Sequence, residues 1–200
     1  MKKLVALLLA AAMAFACVAC GGSGTDTENN ETKVEITDAN ELLTKVWDEY
    51  NATASDELRF PSAGGNVESM IMDTPAKFDT TLEGAEDALT VGYCITKETI
   101  AMTDDIATLM HMMNANNFSC AAYHVTEAAN VETIVSNVKD DVLNNQWMCG
   151  FPEKLIIVTV GEDYVVSAFG NGGIIDAFKT AITSVYGDAA VVSVEESLAE

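Results

Sequence analysis

The segment from Leu155 to Val160 constrains the fold of this chain more than any other. It is Leu-Ile-Ile-Val-Thr-Val, a near-continuous apolar run that is typical of a strand covered on both sides. Gly161-Glu162-Asp163 provides a three-residue turn, and Tyr164 to Phe169 provides a returning strand. We therefore predict a β-hairpin that needs further elements packed against it.

The elements before and after this hairpin give a βαββαβ order. We predict a strand over Phe118 to Val125, a helix from Thr126 to near Trp147, a helix between Asn171 and Gly187, and a final strand over Ala189 to Val194. This order predicts an α+β fold with a ferredoxin-like sheet over about 118–195. Its four strands would be antiparallel, with both helices on one face.

The N-terminal half is predicted to add helices and loops to this sheet. Asp38 and Glu41 have the spacing of a capping box at the start of a helix. Residues 53–82 are interrupted by proline and glycine, which favours a loop with one short strand. Residues 88–96 are a strand or loop candidate, and a helix is predicted from Thr103 to about Met113.

The N-terminus has the parts of an export signal: Lys2 and Lys3, an uncharged apolar run from Leu4 to Ala16, and small residues before Cys20. A cysteine directly after a small residue, with glycine behind it, resembles the lipobox of bacterial lipoproteins. That resemblance implies removal of residues 1–19 and a lipid on the Cys20 thiol, at the outer face of the cytoplasmic membrane. The alternative is an ordinary signal peptide with two chance cysteines.

A tether is predicted between the lipid and the folded part. No apolar side chain occurs between Gly21 and Thr32, so this stretch cannot bury surface to offset the entropy cost of ordering. We predict a flexible acidic segment over residues 20–37. The remaining residues, 38–200, are enough for one domain with its own core.

The charge of the chain excludes some partners. It has 10 Lys and Arg residues against 31 Asp and Glu residues, a formal net charge of −21. Nucleic acids and anionic lipid headgroups would be repelled by such a surface. Membrane attachment must then come from the lipid. The acidic surface either keeps the protein soluble outside the cell or docks a basic partner or cations.

Part of the chain, roughly Ile106 to Ile182, resembles a lipoprotein family of clostridia and related Firmicutes that is described as a domain of unknown function. The matching segments are Met112–Phe118, Ala128–Asn145, Lys154–Ile157 and Gly161–Val166. The resemblance implies a fold and a location but no catalytic residue. The Gly64-Gly65 loop and the segment Trp147–Phe151 depart from the family pattern.

Cys149-Gly150-Phe151-Pro152 is the first candidate for chemistry. It resembles the Cys-Gly-Phe-Ser signature of monothiol glutaredoxins, in which the dipole at a helix start lowers the thiol pKa. Here the motif follows a predicted helix, and the C-terminal end of a helix disfavours a thiolate. The alternative is a helix stop with Trp147, Met148 and Phe151 packed beneath it.

A metal site is the second candidate. The soft ligands that could contribute are His111, His124, Met112, Met113, Cys94 and Cys120. After Cys20 the chain has no Cys-x-x-Cys loop, and neither histidine has a histidine partner at helical spacing. Methionines on one helix face are more often core residues, and Cys120 is expected in the core. Three cysteines remain after Cys20, so at most one disulfide can form.

The sequence therefore favours a non-enzymatic binding module. The open face of the sheet, or the loop with Gly64 and Gly65, would contact a protein, a peptide or a small ligand. The alternative is a thiol- or metal-dependent protein that uses Cys149, or His111 and Cys120. No catalytic residue, cofactor or nucleic-acid partner is expected, and the oligomeric state is left open.

Overall fold

An eight-stranded antiparallel sheet organises the computed structural model, which describes residues 35–148 and 150–198. Within these ranges the strands are β1 (Ser62–Gly64), β2 (Ile71–Met72), β3 (Ala76–Lys77), β4 (Thr103–His111), β5 (Phe118–Val125), β6 (Lys154–Val160), β7 (Tyr164–Gly170) and β8 (Ala190–Ser197). Their order is β2-β1-β4-β5-β7-β6-β8, and β3 also pairs with β4. The five α-helices in the same ranges are α1 (Ala39–Thr53), α2 (Ala85–Tyr93), α3 (Lys97–Ile100), α4 (Val131–Asn144) and α5 (Gly172–Tyr186). The α+β class is confirmed.

The β6–β7 hairpin has helices on both of its faces. Ile156 and Val158 of β6 pack into a cluster with residues of α1 and α5. Leu155 and Ile157, which point the other way, pack into a second cluster with residues of α2 and α4. Because successive strand residues face opposite sides, the continuous apolar run of β6 fills two cores at once. The predicted hairpin and its double cover are confirmed.

The ferredoxin-like strand order predicted over 118–195 is not confirmed. That order would place the last strand beside β5, but β8 lies beside β6, and β4 takes the position next to β5. The two crossover helices were expected on one face of the sheet. They lie on opposite faces, since α5 belongs to one hydrophobic cluster and α4 to the other.

The direction of the strands explains this arrangement. β5 and β6 are parallel with β7 between them, and β7 and β8 are parallel with β6 between them. The connection from β5 to β6 and the connection from β7 to β8 move across the sheet in the same direction. The strands β5 and β6, however, run opposite to β7 and β8. Crossovers that share the usual right-handed sense therefore place α4 and α5 on opposite faces.

The helix predicted from Thr103 to about Met113 is wrong, because this segment forms β4. Ile106 packs toward α2, while Ala107 and Leu109 pack toward α1. β4 is an inner strand covered on both faces, so its apolar residues do not alternate with polar ones. The same residues also fit the spacing of a helical stripe, which explains the error.

Residues 88–96, predicted as strand or loop, lie mostly in helix α2 and the turn after it. Leu89 and Tyr93 are buried at a spacing of four residues, which is one face of a helix. The helix ends at Cys94, whose φ of 54° is left-handed and whose N–H donates to Leu89 O and Thr90 O. Packing of this face overrides the strand propensity of the segment.

The first predicted helix is confirmed as α1, together with its cap. The Asp38 side chain accepts a 2.7 Å hydrogen bond from Glu41 N, and the Glu41 carboxylate accepts one of 2.9 Å from Thr37 N. The predicted loop over 53–82 contains three short strands, β1, β2 and β3. All three lie against β4 or one another at one side of the sheet.

Several predictions concern residues that the structure does not describe. The export signal, Cys20 and most of the predicted tether precede residue 35, and Cys149 lies in the gap between the two ranges. Within the described ranges, no helix combines the length and the apolar character that a membrane crossing requires.

Candidate binding groove

A groove of about 590 Å³ lies between β3, the turn that follows it, and the start of β4. We call it the acidic groove and define it by its lining residues, Asn66, Ser69, Lys77, Phe78, Asp79, Thr80, Thr81, Leu82, Thr103, Asp104, Asp105 and Ile106. Phe78 and Ile106 are buried and form an apolar floor. Three carboxylates and one lysine line the rest, together with amide and hydroxyl groups.

Asp79 is held in place by the side chain of Asn66. Asn66 Nδ2 donates to Asp79 O at 3.0 Å, and Asn66 Oδ1 accepts from Asp79 N at 2.8 Å. The Asp79 carboxylate accepts from the hydroxyl and the N–H of Thr81, and these bonds lower its pKa. The exposed wall of the groove is therefore a fixed turn with an ionised carboxylate.

Asp105 joins the groove to the start of α1. Its Oδ2 accepts a 2.7 Å hydrogen bond from Ala39 N, and its Oδ1 lies 2.6 Å from Lys77 Nζ. This contact with Asp105 raises the pKa of Lys77. Lys77 is thus already paired within the groove, and it neutralises only one of the carboxylates there.

His124 extends the charged cluster to the neighbouring strand β5. Its Nδ1 lies 2.6 Å from Asp104 Oδ1, and its Nε2 lies 3.4 Å from Asp163 Oδ2. Burial lowers the pKa of His124, but its hydrogen bonds and charge interactions with Asp104 and Asp163 outweigh this and raise it overall. With a carboxylate at each ring nitrogen, His124 has no free nitrogen with which to activate a nucleophile.

Carboxylates outnumber cationic groups around this cluster. Tyr164, whose ring centroid lies 4.9 Å from that of His124, has its pKa raised to about 12, first by burial and then by nearby carboxylates. Those carboxylates are Asp163, Asp105, Asp38 and Asp104. The arrangement suits the binding of a cationic group more than a proton-transfer reaction.

His111, a candidate from the sequence, has a structural role at the end of β4. Its Nδ1 accepts hydrogen bonds from Met113 N at 3.0 Å and Asn114 N at 3.3 Å. Its ring stacks on Phe60 with 5.0 Å between centroids and 4° between planes. Burial lowers the pKa of His111. A neutral imidazole that fixes a turn explains the residue without a metal.

The described cysteines are buried and free. Cys120 lies in the middle of β5, as expected for a core residue, and burial raises its pKa well above the usual value. Burial also raises the pKa of Cys94 to about 12. Neither is a reactive thiol at neutral pH. Among the residues that the structure covers, no three His, Cys, Asp or Glu side chains form a metal-binding group.

The segment around the undescribed Cys149 is only partly packed. Trp147 lies against Phe169 with ring centroids 5.0 Å apart, but Met148 is 79% exposed and Phe151 is 75% exposed. The alternative that Trp147, Met148 and Phe151 all pack beneath a helix end is therefore wrong for Met148 and Phe151. Helix α4 ends at Asn144, ahead of this segment.

Gly64 and Gly65 allow close contact between backbones. A Cβ on Gly64 would lie 2.4 Å from both Ala76 N and Thr108 O, and Gly65 has a φ of 89°. Gly65 N also donates to Thr108 Oγ1 at 3.1 Å. Both glycines are buried in the structure, which accounts for them without a ligand.

The N-terminal end of helix α5, at Gly172, is already occupied by a carboxylate. Glu153 Oε2 accepts from Gly172 N at 2.8 Å and lies 3.2 Å from Asn171 Nδ2. The chain thus supplies its own anion at this helix end.

The residues of the acidic groove were not recognised from the sequence. In the sequence, Asp104 and Asp105 fall at the start of the segment that is predicted as a helix from Thr103, and His124 is a candidate only as a soft metal ligand. The sequence could have indicated this site only through the acidic residues near a turn. The contact between Lys77 and Asp105 depends on the pairing of β3 with β4, which the sequence does not reveal.

No family model matches the chain, and neither the curated proteins nor the solved structures contain a match. Function must therefore be inferred from the groove and the charge of the chain.

Proposed function

We propose that this protein is a lipid-anchored extracytoplasmic binding module whose acidic groove holds a cationic ligand. The observation that carries the proposal is the groove itself, at about 590 Å³ with an apolar floor and a polar lining in which three carboxylates outnumber one lysine. Binding sites for small ligands commonly have this size and combine apolar walls with a few placed polar groups. The formal net charge of −21 would also attract cations to the surface before they bind.

The anchor is the part of the proposal that rests on sequence. Cys20 in a lipobox-like segment would hold the domain at the outer face of the cytoplasmic membrane. Labelling cells with a fatty acid tests this, because wild type should incorporate label and Cys20→Ala should not. Equal incorporation in both would refute the lipid anchor, and it would leave the groove to be judged separately.

The ligand class is tested with a fluorescein-labelled oligolysine as a cationic probe and oligoglutamate as its anionic counterpart. Asp79→Asn keeps a side-chain oxygen for Thr81 but removes one charge from the groove. We expect this variant to bind oligolysine about two- to fivefold more weakly, the effect of one exposed charge. The anisotropy of the probe gives the affinity.

A matched control separates the groove from general attraction. Glu57→Gln removes the same charge from an exposed position outside the groove lining. It should leave oligolysine affinity nearly unchanged. If Glu57→Gln and Asp79→Asn weaken binding equally, or if oligoglutamate binds as well, the groove is not the site.

A further inference from the structure

Among the described residues, no strand pairs with the outer side of β8. In the described part of the chain, the sheet ends on one side with the two-residue strand β2 and on the other with the eight residues Ala190–Ser197. β8 pairs with β6 along its inner side. An edge strand carries a row of backbone N–H and C=O groups that can pair with another chain.

The register identifies which backbone groups are open. Ala189 O accepts a 2.9 Å hydrogen bond from Gly161 N, so Ala189 directs its backbone groups inward. In an antiparallel ladder the direction alternates from one residue to the next. Val191, opposite Thr159, therefore points its N–H and C=O toward β6, and Val192 points both of its groups to the open side. The Ala190 N–H already donates to Gly187 O, so only the C=O of Ala190 is open.

The acidic residues of β8 do not block this edge. Glu195 forms ion pairs with Lys154 at 2.6 Å and Lys179 at 2.8 Å, and Glu196 pairs with Lys139 at 2.6 Å. These lysines belong to β6 and to the helices on the two faces. The half of the strand from Ala190 to Val194 has no charged side chain.

A depression of about 360 Å³ lies beside this uncharged half. Val131, Glu132, Val135, Thr159 and Ser193 line it, so that α4 forms one wall and the sheet the other. Val191 next to it is 57% exposed. A register shift between Ile157 and Val158 places Ser193 as an extra residue in β8. A strand added here could place alternate side chains in the depression.

We propose that Ala190–Val194 binds an extended peptide segment of a partner protein, which adds to β8 as a further strand. The segment has small or β-branched side chains at its centre and basic residues beside them. Two observations favour this occupant: Glu132 lies on the rim of the depression, and the formal net charge is −21. The same charge opposes a second copy of this chain, because two such surfaces repel each other. This surface is separate from the acidic groove.

The experiment uses a synthetic peptide of alternating valine and threonine flanked by lysines. Val192→Pro removes one N–H on the open side, a position where an edge strand accepts proline. Val192→Thr keeps that N–H and a β-branched side chain, so it is the matched control. We expect the peptide to bind Val192→Pro about tenfold more weakly than wild type, as for the loss of one backbone hydrogen bond. Val192→Thr should bind as wild type does.

Hydrogen exchange gives a second readout. Amides on the open side of β8 should exchange more slowly when the peptide is bound, while unfolding curves of the two variants show that both fold. Equal affinity of wild type and Val192→Pro, or unchanged exchange in β8, would overturn the proposal. A wild-type dimer in sedimentation that Val192→Pro abolishes would also overturn it, since the occupant would then be a second copy.

Discussion

Asp105 on β4 caps helix α1 from a distance of 66 residues along the chain. Its Oδ2 accepts a 2.7 Å hydrogen bond from Ala39 N, the first residue of the helix, where free N–H groups and the helix dipole favour a carboxylate. The Asp105 side chain is only 13% exposed and also contacts Lys77 Nζ. One carboxylate therefore joins α1, β3 and β4.

Asp105→Ala should lower the free energy of unfolding by about 1–2 kcal/mol, the usual effect of losing a helix cap. Lys77→Met is the control, because it removes the ion pair from a largely exposed lysine and leaves the bond to Ala39. It should change stability by about 1 kcal/mol or less. Urea unfolding measures both, and equal losses would show that the ion pair, and not the cap, is what matters.

The two histidines should titrate on opposite sides of their ordinary pKa of 6.5. The contacts of His124 with Asp104 and Asp163 raise its pKa overall, whereas burial lowers the pKa of His111. NMR titration of the two imidazoles, assigned with His124→Gln and His111→Gln, checks this. Reversed positions would mean that the two carboxylates do not contact His124 in solution.

His124 also makes stability depend on pH. Because its pKa is raised in the folded state, its contribution is complete below about 6.5 and is lost as the pH rises through the folded pKa. Unfolding midpoints of wild type and His124→Gln should therefore differ most at mildly acidic pH and converge at higher pH. A constant difference would indicate a packing effect only.

Glu195 should contribute in the opposite direction. Hydrogen bonds from Lys154 and Lys179 lower its pKa from 4.5 to about 2. A lowered pKa means that the stabilisation is present above 4.5 and disappears as the pH falls toward 2. Between pH 4.5 and about 2, the free energy of unfolding should therefore fall less steeply in Glu195→Gln than in wild type. Glu196→Gln, which removes a carboxylate paired with a single lysine, should change this slope less.

Two glycines should respond to alanine with opposite signs. Gly64→Ala would place Cβ against the backbone of β3 and β4, which should cost about 1–3 kcal/mol. Gly92→Ala lies in α2, where the nearest atom, Met110 Cε, is 3.5 Å from the new Cβ. It should stabilise the protein by about 0.5–1 kcal/mol through helix propensity. Stabilisation by Gly64→Ala would contradict the described approach of the strands.

The sequence correctly predicts elements that depend on local features, and it misses those that depend on packing or on contacts between separate segments. The β6–β7 hairpin and α1 were predictable because an apolar run, a glycine turn and the Asp38 cap are local features. β4 was not, since a strand buried on both faces loses its alternation. The acidic groove was not predictable either, because it depends on how Asn66 folds the turn back at Asp79 and on the contact of Lys77 with Asp105 of another strand.

The interleaved crossovers also limit how the chain can be shortened. β7 lies between the strands joined by α4, and β6 lies between the strands joined by α5. A cut between Phe118 and Ser197 would not give two parts that can each form their own sheet. Each strand–helix–strand unit has a strand of the other unit between its two strands. During synthesis, β6 can acquire its second neighbour only after the last residues from Ala190 onward have emerged. Deleting that C-terminal stretch would leave the largely apolar strand β6 as an exposed, aggregation-prone edge of the sheet.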